Sequence, residues 1–166
     1  MKQLLVVRHA SAENKAPGQT DFERTLNPEG IRDAVRLGKL LSSRGAHPEV
    51  IFASSAVRAR HTAILIAEHT GLEPHDMQCL EALYTASAQS IIALLASLDD
   101  AAVSAMVVGH NPAMSQLIAR LTSESTIHLA PSGCALIGLS ISSWSDMPIE
   151  TAGKLVFLEG PVPDRR

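Results

Sequence analysis

Short apolar runs alternate with longer amphipathic segments along most of this chain, and this alternation constrains the fold more than any other feature. The runs at 4–7, 50–53 and 103–109 have the length and composition of buried strands. The segments that follow them are long enough for helices. Strands that alternate with helices predict an α/β layer fold with a largely parallel central sheet.

Capping residues set the bounds of the predicted helices. Asn27-Pro28-Glu29 is typical of a helix start, and Arg44-Gly45 of its end. Gly71 ends a second predicted helix that runs from about 57 to 70. Further helices are expected at 87–98 and from Pro112 through 121, and two final strands at 135–141 and 154–158.

Length and charge exclude several classes of protein. The 166 residues fit one domain over 1–166, and we expect its proline-containing tail, 160–166, to fray. The net charge of −3 and the 3% aromatic content give no general attraction to nucleic acid or anionic membranes, so neither is an expected partner. No apolar run is long enough for a signal peptide or a membrane span, which favours a cytoplasmic protein.

Residues with charged or nucleophilic side chains follow the predicted strands. Arg8 and His9 come directly after the first strand, Arg58 just beyond the second, and His110 directly after the third. Ligands of parallel α/β sheets bind beyond the carboxyl ends of the strands. We therefore expect these four side chains to share one site.

This set of residue types suits phosphoryl transfer. A neutral imidazole is a competent nucleophile, and the planar fork of an arginine binds two oxygens of a phosphoryl group at once. Neighbouring positive charge also favours the neutral form of His9. Any one of these residues alone has an ordinary explanation as a turn residue or a solvated charge, so the prediction depends on their joint placement.

Three separated motifs resemble the histidine phosphatase superfamily, also called phosphoglycerate mutase-like. They occur in that family's order and roughly its spacing, and the resemblance covers most of the chain to about 121. The branch that the chain most resembles is that of the compact SixA-type phosphohistidine phosphatases. The motifs are the segments 5–10 (LVVRHA), 54–63 (SSAVRARHTA) and 107–112 (VVGHNP).

The resemblance implies a three-layer α/β/α fold, a phosphohistidine intermediate and no metal or organic cofactor. By position, His9 matches the phosphorylated nucleophile, Arg8 and Arg58 the phosphate-binding arginines, and His110 the second histidine of the pocket. The resemblance further implies two substrate-binding residues. These are Arg24, for which a surface charge is the alternative, and Asn111 beside His110.

Two departures from the family pattern bear on the chemistry. Ala10 stands where the family has glycine after its Arg-His pair, and this branch accommodates alanine there. Glu81 is the nearest match to the general acid of larger members, and an exposed carboxylate is its alternative interpretation. An alkoxide needs such an acid in order to leave, whereas imidazole, with a pKa near ~6.5, leaves readily once protonated.

The sequence therefore predicts a phosphatase that acts through His9, with a phosphohistidine-bearing carrier or phosphorelay protein as its substrate. Two alternatives stay open: a phosphatase for small phosphomonoesters such as sugar phosphates, and a non-catalytic module that binds phosphoproteins. The spacing of His61, His69 and His75 does not match a metal site, so no metal is expected.

Overall fold

A computed structural model of the protein describes residues 1–147 and 153–161, and its centre is a mixed sheet of six strands in that part of the chain. The strands are β1 (Lys2–Arg8), β2 (Val50–Ser54), β3 (Met77–Leu80), β4 (Ser104–Gly109), β5 (Cys134–Leu139) and β6 (Gly153–Glu159). Their order is β3-β2-β4-β1-β5-β6. The first four are mutually parallel, whereas β5 runs antiparallel to both β1 and β6.

Helices cover both faces of the sheet. They are α1 (Pro28–Ser43), α2 (Val57–Thr70), α3 (Ala88–Leu95) and α4 (Ala113–Thr122). In β1, Leu5 and Val7 pack in one apolar core with residues of α1 and α2, while Leu4 and Val6 pack in a second core with residues of α3 and α4. Since successive side chains of a strand point to opposite faces, one strand serves both cores. The predicted three-layer α/β/α fold is confirmed.

The predicted caps are present at the helix ends. The Asn27 side chain accepts a hydrogen bond from the Gly30 N–H, and Gly71 ends α2 in the left-handed conformation with φ of 77°. Ser87 caps α3, which ends at Leu95 and is shorter than predicted. The capping residues thus located these helix ends, because a cap depends on residues that are close together in the sequence.

Two details differ from the predictions. The half-buried strand β3 lies at the sheet edge beside β2 and was not predicted, since it spans only four residues and lacks an apolar run. The spacing of the apolar residues predicts that Ile31 lies on the buried face of α1 with Ala34 and Leu41; it is instead 37% exposed, whereas Leu37 is buried. The buried stripe of α1 centres on Ala34 and Leu41, and Ile31 lies at its margin.

The strand order brings the functional segments to one edge. The carboxyl ends of the adjacent strands β2, β4 and β1 lie together, and the segment that follows β1 turns back against α1. Gly30 permits this contact, because a Cβ there would overlap the Ser11 carbonyl oxygen. The predicted frayed tail falls mainly on 162–166, which lie outside the described residues. In the described part of the chain, no helix is long and apolar enough to cross a bilayer.

Candidate active site

The hydrogen bonds of His9 define which of its ring nitrogens is free. Its Nδ1 lies 2.8 Å from the Ala10 carbonyl oxygen, which only accepts hydrogen bonds, so Nδ1 carries the proton. Nε2 is then unprotonated, and it accepts a hydrogen bond from Arg58 Nε at 3.3 Å. The backbone N–H of His9 donates to the Gly109 carbonyl, which fixes His9 beside the end of β4.

The surroundings of His9 favour its neutral form. Burial lowers its pKa to about 4; the Ala10 carbonyl opposes this shift, and the charges of Arg58, Arg8 and Arg24 add to it. Because this value lies well below 7, the imidazole is neutral at physiological pH. His9 therefore presents the lone pair of Nε2 next to a guanidinium.

His110 stands beside His9, at the end of the neighbouring strand. The two ring centroids are 5.0 Å apart. His110 Nε2 shares a 2.8 Å hydrogen bond with the hydroxyl of Ser54, which is fully buried at the end of β2, and Nδ1 lies 3.5 Å from Arg58 Nη2. Burial first, and then the neighbouring His9 and Arg58, lower the pKa of His110 to about 3. The structure thus brings together both predicted histidines.

Arg58 joins the two histidines to a loop between β1 and α1. It lies in the first turn of α2 and is only 5% exposed. Its Nη1 donates to the Asp21 carbonyl oxygen at 2.6 Å, and its Nη2 donates to Asp21 Oδ2 at 2.9 Å. The predicted placement of Arg58 beside His9 and His110 agrees with this geometry.

Asp21 and Tyr84 belong to this cluster, and neither was singled out from the sequence. Asp21 begins a short 3-10 helix, Asp21–Glu23, and its Oδ2 also accepts a 2.7 Å hydrogen bond from the Tyr84 hydroxyl. The hydrogen bonds from Tyr84, Arg24 and Arg58 hold the pKa of the Asp21 carboxyl far below its usual range. The Tyr84 ring meets the edge of the His110 ring at 5.4 Å.

Arg8 and Asn111 both bind the backbone carbonyl of Leu129. Arg8 Nη1 donates to it at 2.8 Å and Asn111 Nδ2 at 2.9 Å. The other end of the Asn111 amide accepts from the hydroxyl and the N–H of Ser115, so both ends are engaged. Arg8 Nε is buried and has no hydrogen-bond partner among the described residues. A buried donor without a partner carries a desolvation cost that a bound anion would relieve.

Arg24 and Glu81 differ in how they relate to the cluster. Arg24 Nη1 donates to Asp21 Oδ1 at 2.9 Å, and its Nε donates to the Glu13 carbonyl. Glu81 begins the 3-10 helix Glu81–Tyr84 and is exposed, and within 1–147 and 153–161 no hydrogen bond or ion pair joins it to another site residue. The residue that this short helix brings against His110 is Tyr84.

A buried threonine ties the segment after His9 to α2. The Ala10 N–H donates to Thr62 Oγ1 at 3.0 Å, and that hydroxyl donates to the Arg58 carbonyl at 2.7 Å. Because the Ala10 carbonyl also accepts from His9 Nδ1, the backbone of one residue sets both the tautomer of His9 and its distance from α2.

These side chains place two arginines around an unprotonated ring nitrogen. His9 Nε2 has a lone pair, Arg58 Nε donates to it, and the Nε of Arg8, the residue before His9, has no partner among the described residues. That arrangement suits a phosphoryl group, which carries several oxygens around an electrophilic atom. Among the described residues, no three histidine, cysteine, aspartate or glutamate side chains are grouped so as to hold a metal ion.

Comparisons with known proteins give a consistent result. The family model for the histidine phosphatase superfamily, branch 1, matches residues 4–85. An uncharacterised protein of Mycobacterium tuberculosis is 33% identical over 119 residues, which are 72% of each chain. The superfamily model supports a phosphatase.

Solved structures share the fold over nearly the whole chain. A protein assigned as the phosphohistidine phosphatase SixA of Agrobacterium tumefaciens is 26% identical with a TM-score of 0.81, covering 96% of this chain and 99% of its own. The protein histidine phosphatase SixA complexed with tungstate is 22% identical with a TM-score of 0.82, covering 96% and 97%. A protein assigned as an α-ribazole-5′-P phosphatase of Escherichia coli is 17% identical with a TM-score of 0.71, covering 98% of each chain.

Proposed function

Because this chain belongs to the histidine phosphatase superfamily, within its SixA-type branch, we propose that it hydrolyses protein phosphohistidine through a phosphoryl intermediate on His9. The proposal assigns the reaction to a single domain over 1–166 and requires no metal or organic cofactor. Its substrate is a carrier or phosphorelay protein phosphorylated on histidine.

One observation carries this proposal: His9 presents an unprotonated Nε2 against the guanidinium of Arg58. The Ala10 carbonyl holds the proton on Nδ1, and burial keeps the ring neutral. A binding module would need cations for phosphate, but it would not need a neutral imidazole whose free nitrogen faces them.

The proposed reaction has two displacement steps. In the first, His9 Nε2 attacks phosphorus, the bond from phosphorus to the substrate imidazole breaks, and that imidazole leaves with a proton from solvent. In the second, water attacks phosphorus, the bond to His9 Nε2 breaks, and the water proton passes to solvent as inorganic phosphate forms. Arg8, Arg58 and His110 bind the non-bridging oxygens in both steps.

The surroundings of Glu81 support a nitrogen–phosphorus substrate. Glu81 is exposed and makes no hydrogen bond or ion pair with the described site residues, so it lacks the burial that commonly tunes a general acid. An imidazole needs less help to leave than an alkoxide does. We therefore keep Glu81 as the acid only for the alternative ester reaction.

Arg24 and Asn111 take supporting roles in this proposal. Arg24 stands at the outer side of Asp21, where it can attract an incoming phosphoprotein. Asn111 holds the Leu129 carbonyl beside Arg8 and so shapes the pocket, because both ends of its amide are already engaged.

The alternative is a phosphatase for small phosphomonoesters. One observation favours it: the fold is shared with the E. coli protein assigned to α-ribazole-5′-P. That similarity is 17% in sequence, so it concerns the fold.

A comparison of substrates tests the proposal. We would measure the turnover of a histidine-phosphorylated carrier protein, para-nitrophenyl phosphate and several sugar phosphates, with and without EDTA. We expect preference for the phosphohistidine protein, unchanged by EDTA. Preference for an ester would favour the alternative and a role for Glu81, and phosphate binding without turnover of any substrate would favour a binding module.

Two variants control this experiment. His9→Ala should abolish turnover while the protein stays folded by circular dichroism. His75→Ala, which alters a histidine that is 79% exposed, should keep wild-type turnover. A folded, fully active His9→Ala protein would contradict the proposal.

A further inference from the structure

We propose that Asp21 is a positioning residue that aims the guanidinium of Arg58 at the phosphoryl site. This inference rests on the proposed function, since it assigns Arg58 to the binding of phosphoryl oxygens. Asp21 hydrogen-bonds to neither His9 nor His110 within the described residues, and its role follows from its contacts with Arg58.

The two edges of the Arg58 guanidinium have different partners. Along its side edge, Nε donates to His9 Nε2 at 3.3 Å and Nη2 lies 3.5 Å from His110 Nδ1. At its far end, Nη1 and Nη2 donate to the backbone oxygen and Oδ2 of Asp21, at 2.6 and 2.9 Å. A guanidinium is rigid and planar, so fixing its end fixes the direction of its side edge.

Asp21 is itself held on both carboxylate oxygens. Oδ1 accepts from Arg24 Nη1, and Oδ2 accepts from the Tyr84 hydroxyl as well as from Arg58. The Tyr84 ring packs edge-on against Phe22, the residue that follows Asp21. These contacts come from its own segment and from two others, the start of α2 and the 3-10 helix Glu81–Tyr84. They make the carboxylate an anchor although its side chain is 46% exposed.

The charge of Asp21 and its geometry predict opposite effects when it is neutralised. A carboxylate beside the site repels a phosphoryl dianion, so loss of its charge alone should strengthen phosphate binding and speed turnover of a dilute substrate. If Asp21 instead positions Arg58, its loss should weaken transition-state binding, because misplacement of a binding group by ~1 Å can cost on the order of 100-fold in rate.

Asp21→Asn separates these effects, since it keeps the size and the backbone oxygen and removes the charge. We expect kcat for the phosphohistidine protein and for para-nitrophenyl phosphate to fall about 10- to 100-fold. Glu23→Gln is the matched control, because it removes one negative charge from the same short helix, and the Glu23 carboxylate accepts its hydrogen bonds from Thr20. We expect it to keep wild-type kcat. Wild-type or higher kcat in Asp21→Asn would overturn the proposal.

A second readout does not depend on turnover. His9 is faced by Arg8, Arg24 and Arg58 and by the neutral ring of His110. Burial lowers its pKa most, and the charges of these arginines lower it further. If Arg58 leaves its position in Asp21→Asn, the His9 pKa should rise in an NMR titration. If only a negative charge is lost, that pKa should stay or fall, which would contradict the positioning role.

The two readouts distinguish this proposal from the proposed function. If wild type turns over no phosphorylated substrate, the proposed function fails, and the NMR titration together with vanadate binding still decides the role of Asp21. Vanadate should bind Asp21→Asn more weakly than it binds wild type. It should bind Glu23→Gln as tightly as it binds wild type. Tighter binding by Asp21→Asn would count against the proposal.

Discussion

At the scale of single residues, the chemistry depends on which nitrogens of two half-buried imidazoles carry protons. His9 holds its proton on Nδ1 because a carbonyl accepts it, and His110 shares its Nε2 hydrogen bond with the Ser54 hydroxyl. A hydroxyl can donate or accept, so it suits both the neutral and the protonated form of His110. The site can therefore bind a dianion and gain a proton on His110 without breaking that contact.

The depressed pKa values give a direct prediction for the free enzyme. An NMR titration of the histidine side chains should show a pKa of about 4 for His9 and a pKa of about 3 for His110. Because the proposed nucleophile is the unprotonated ring, protonation of His9 in the free enzyme should reduce activity only as the pH falls to the His9 pKa and below. Titration of His9 near the ordinary value of ~6.5 would contradict the burial argument.

Residue types near strand ends could be predicted, and their partners could not. His9, Arg58 and His110 follow directly from the position of each strand's carboxyl end. Asp21 and Tyr84 come from separate segments, and only the folded arrangement of those segments shows that both meet Arg58. A loop aspartate has no local pattern that reveals such a contact.

At the scale of elements, the segment after β1 and the start of α2 act as one unit. Thr62 accepts from the Ala10 N–H and donates to the Arg58 carbonyl, so it joins the nucleophile's segment to the helix that carries the arginine. On the other side, Gly30 allows that segment to lie close against α1, because it has no Cβ. These contacts set the separation between His9 and Arg58.

Thr62→Val tests this connection with a side chain of nearly the same shape. The buried Ala10 N–H would lose its partner, so we expect a stability loss of about 1–3 kcal/mol and a lower kcat. Urea unfolding and steady-state kinetics would measure the two effects.

Thr70→Val is the matched control on the same helix. Thr70 Oγ1 donates only to the Ile66 carbonyl, which keeps its helical hydrogen bond, so we expect a smaller loss and wild-type kcat. Equal effects of the two substitutions would argue against the connecting role of Thr62.

The elements themselves were predictable to different degrees. The bounds of α1 and α2 follow from Asn27, Pro28 and Gly71, whose capping chemistry is local. Strand β3 forms because β2 offers it a parallel edge, and its own four residues give no strand signal. A strand that forms only because a neighbouring strand pairs with it cannot be predicted from its own residues.

At the scale of the whole molecule, the fold brings distant segments to a single sheet edge. The adjacent order β2-β4-β1 explains why residues 9, 58 and 110 meet. The two apolar cores hold the strands β1 and β4, which precede His9 and His110, and the helix α2, which carries Arg58. The alternation of strands and helices predicted this architecture. The antiparallel direction of β5 relative to β1 and β6 could not be predicted, since apolar runs do not specify strand direction.

The central claim is that the phosphoryl group passes through His9, and trapping it there is the most direct test. Wild type would be mixed with a histidine-phosphorylated carrier protein, quenched in alkali within milliseconds, digested and analysed by mass spectrometry, with His9→Ala in parallel. The account predicts a phosphoryl group on His9 that disappears on further incubation, and none in His9→Ala. Phosphate release without phosphorylated His9, or a phosphoryl group held by another residue, would contradict it.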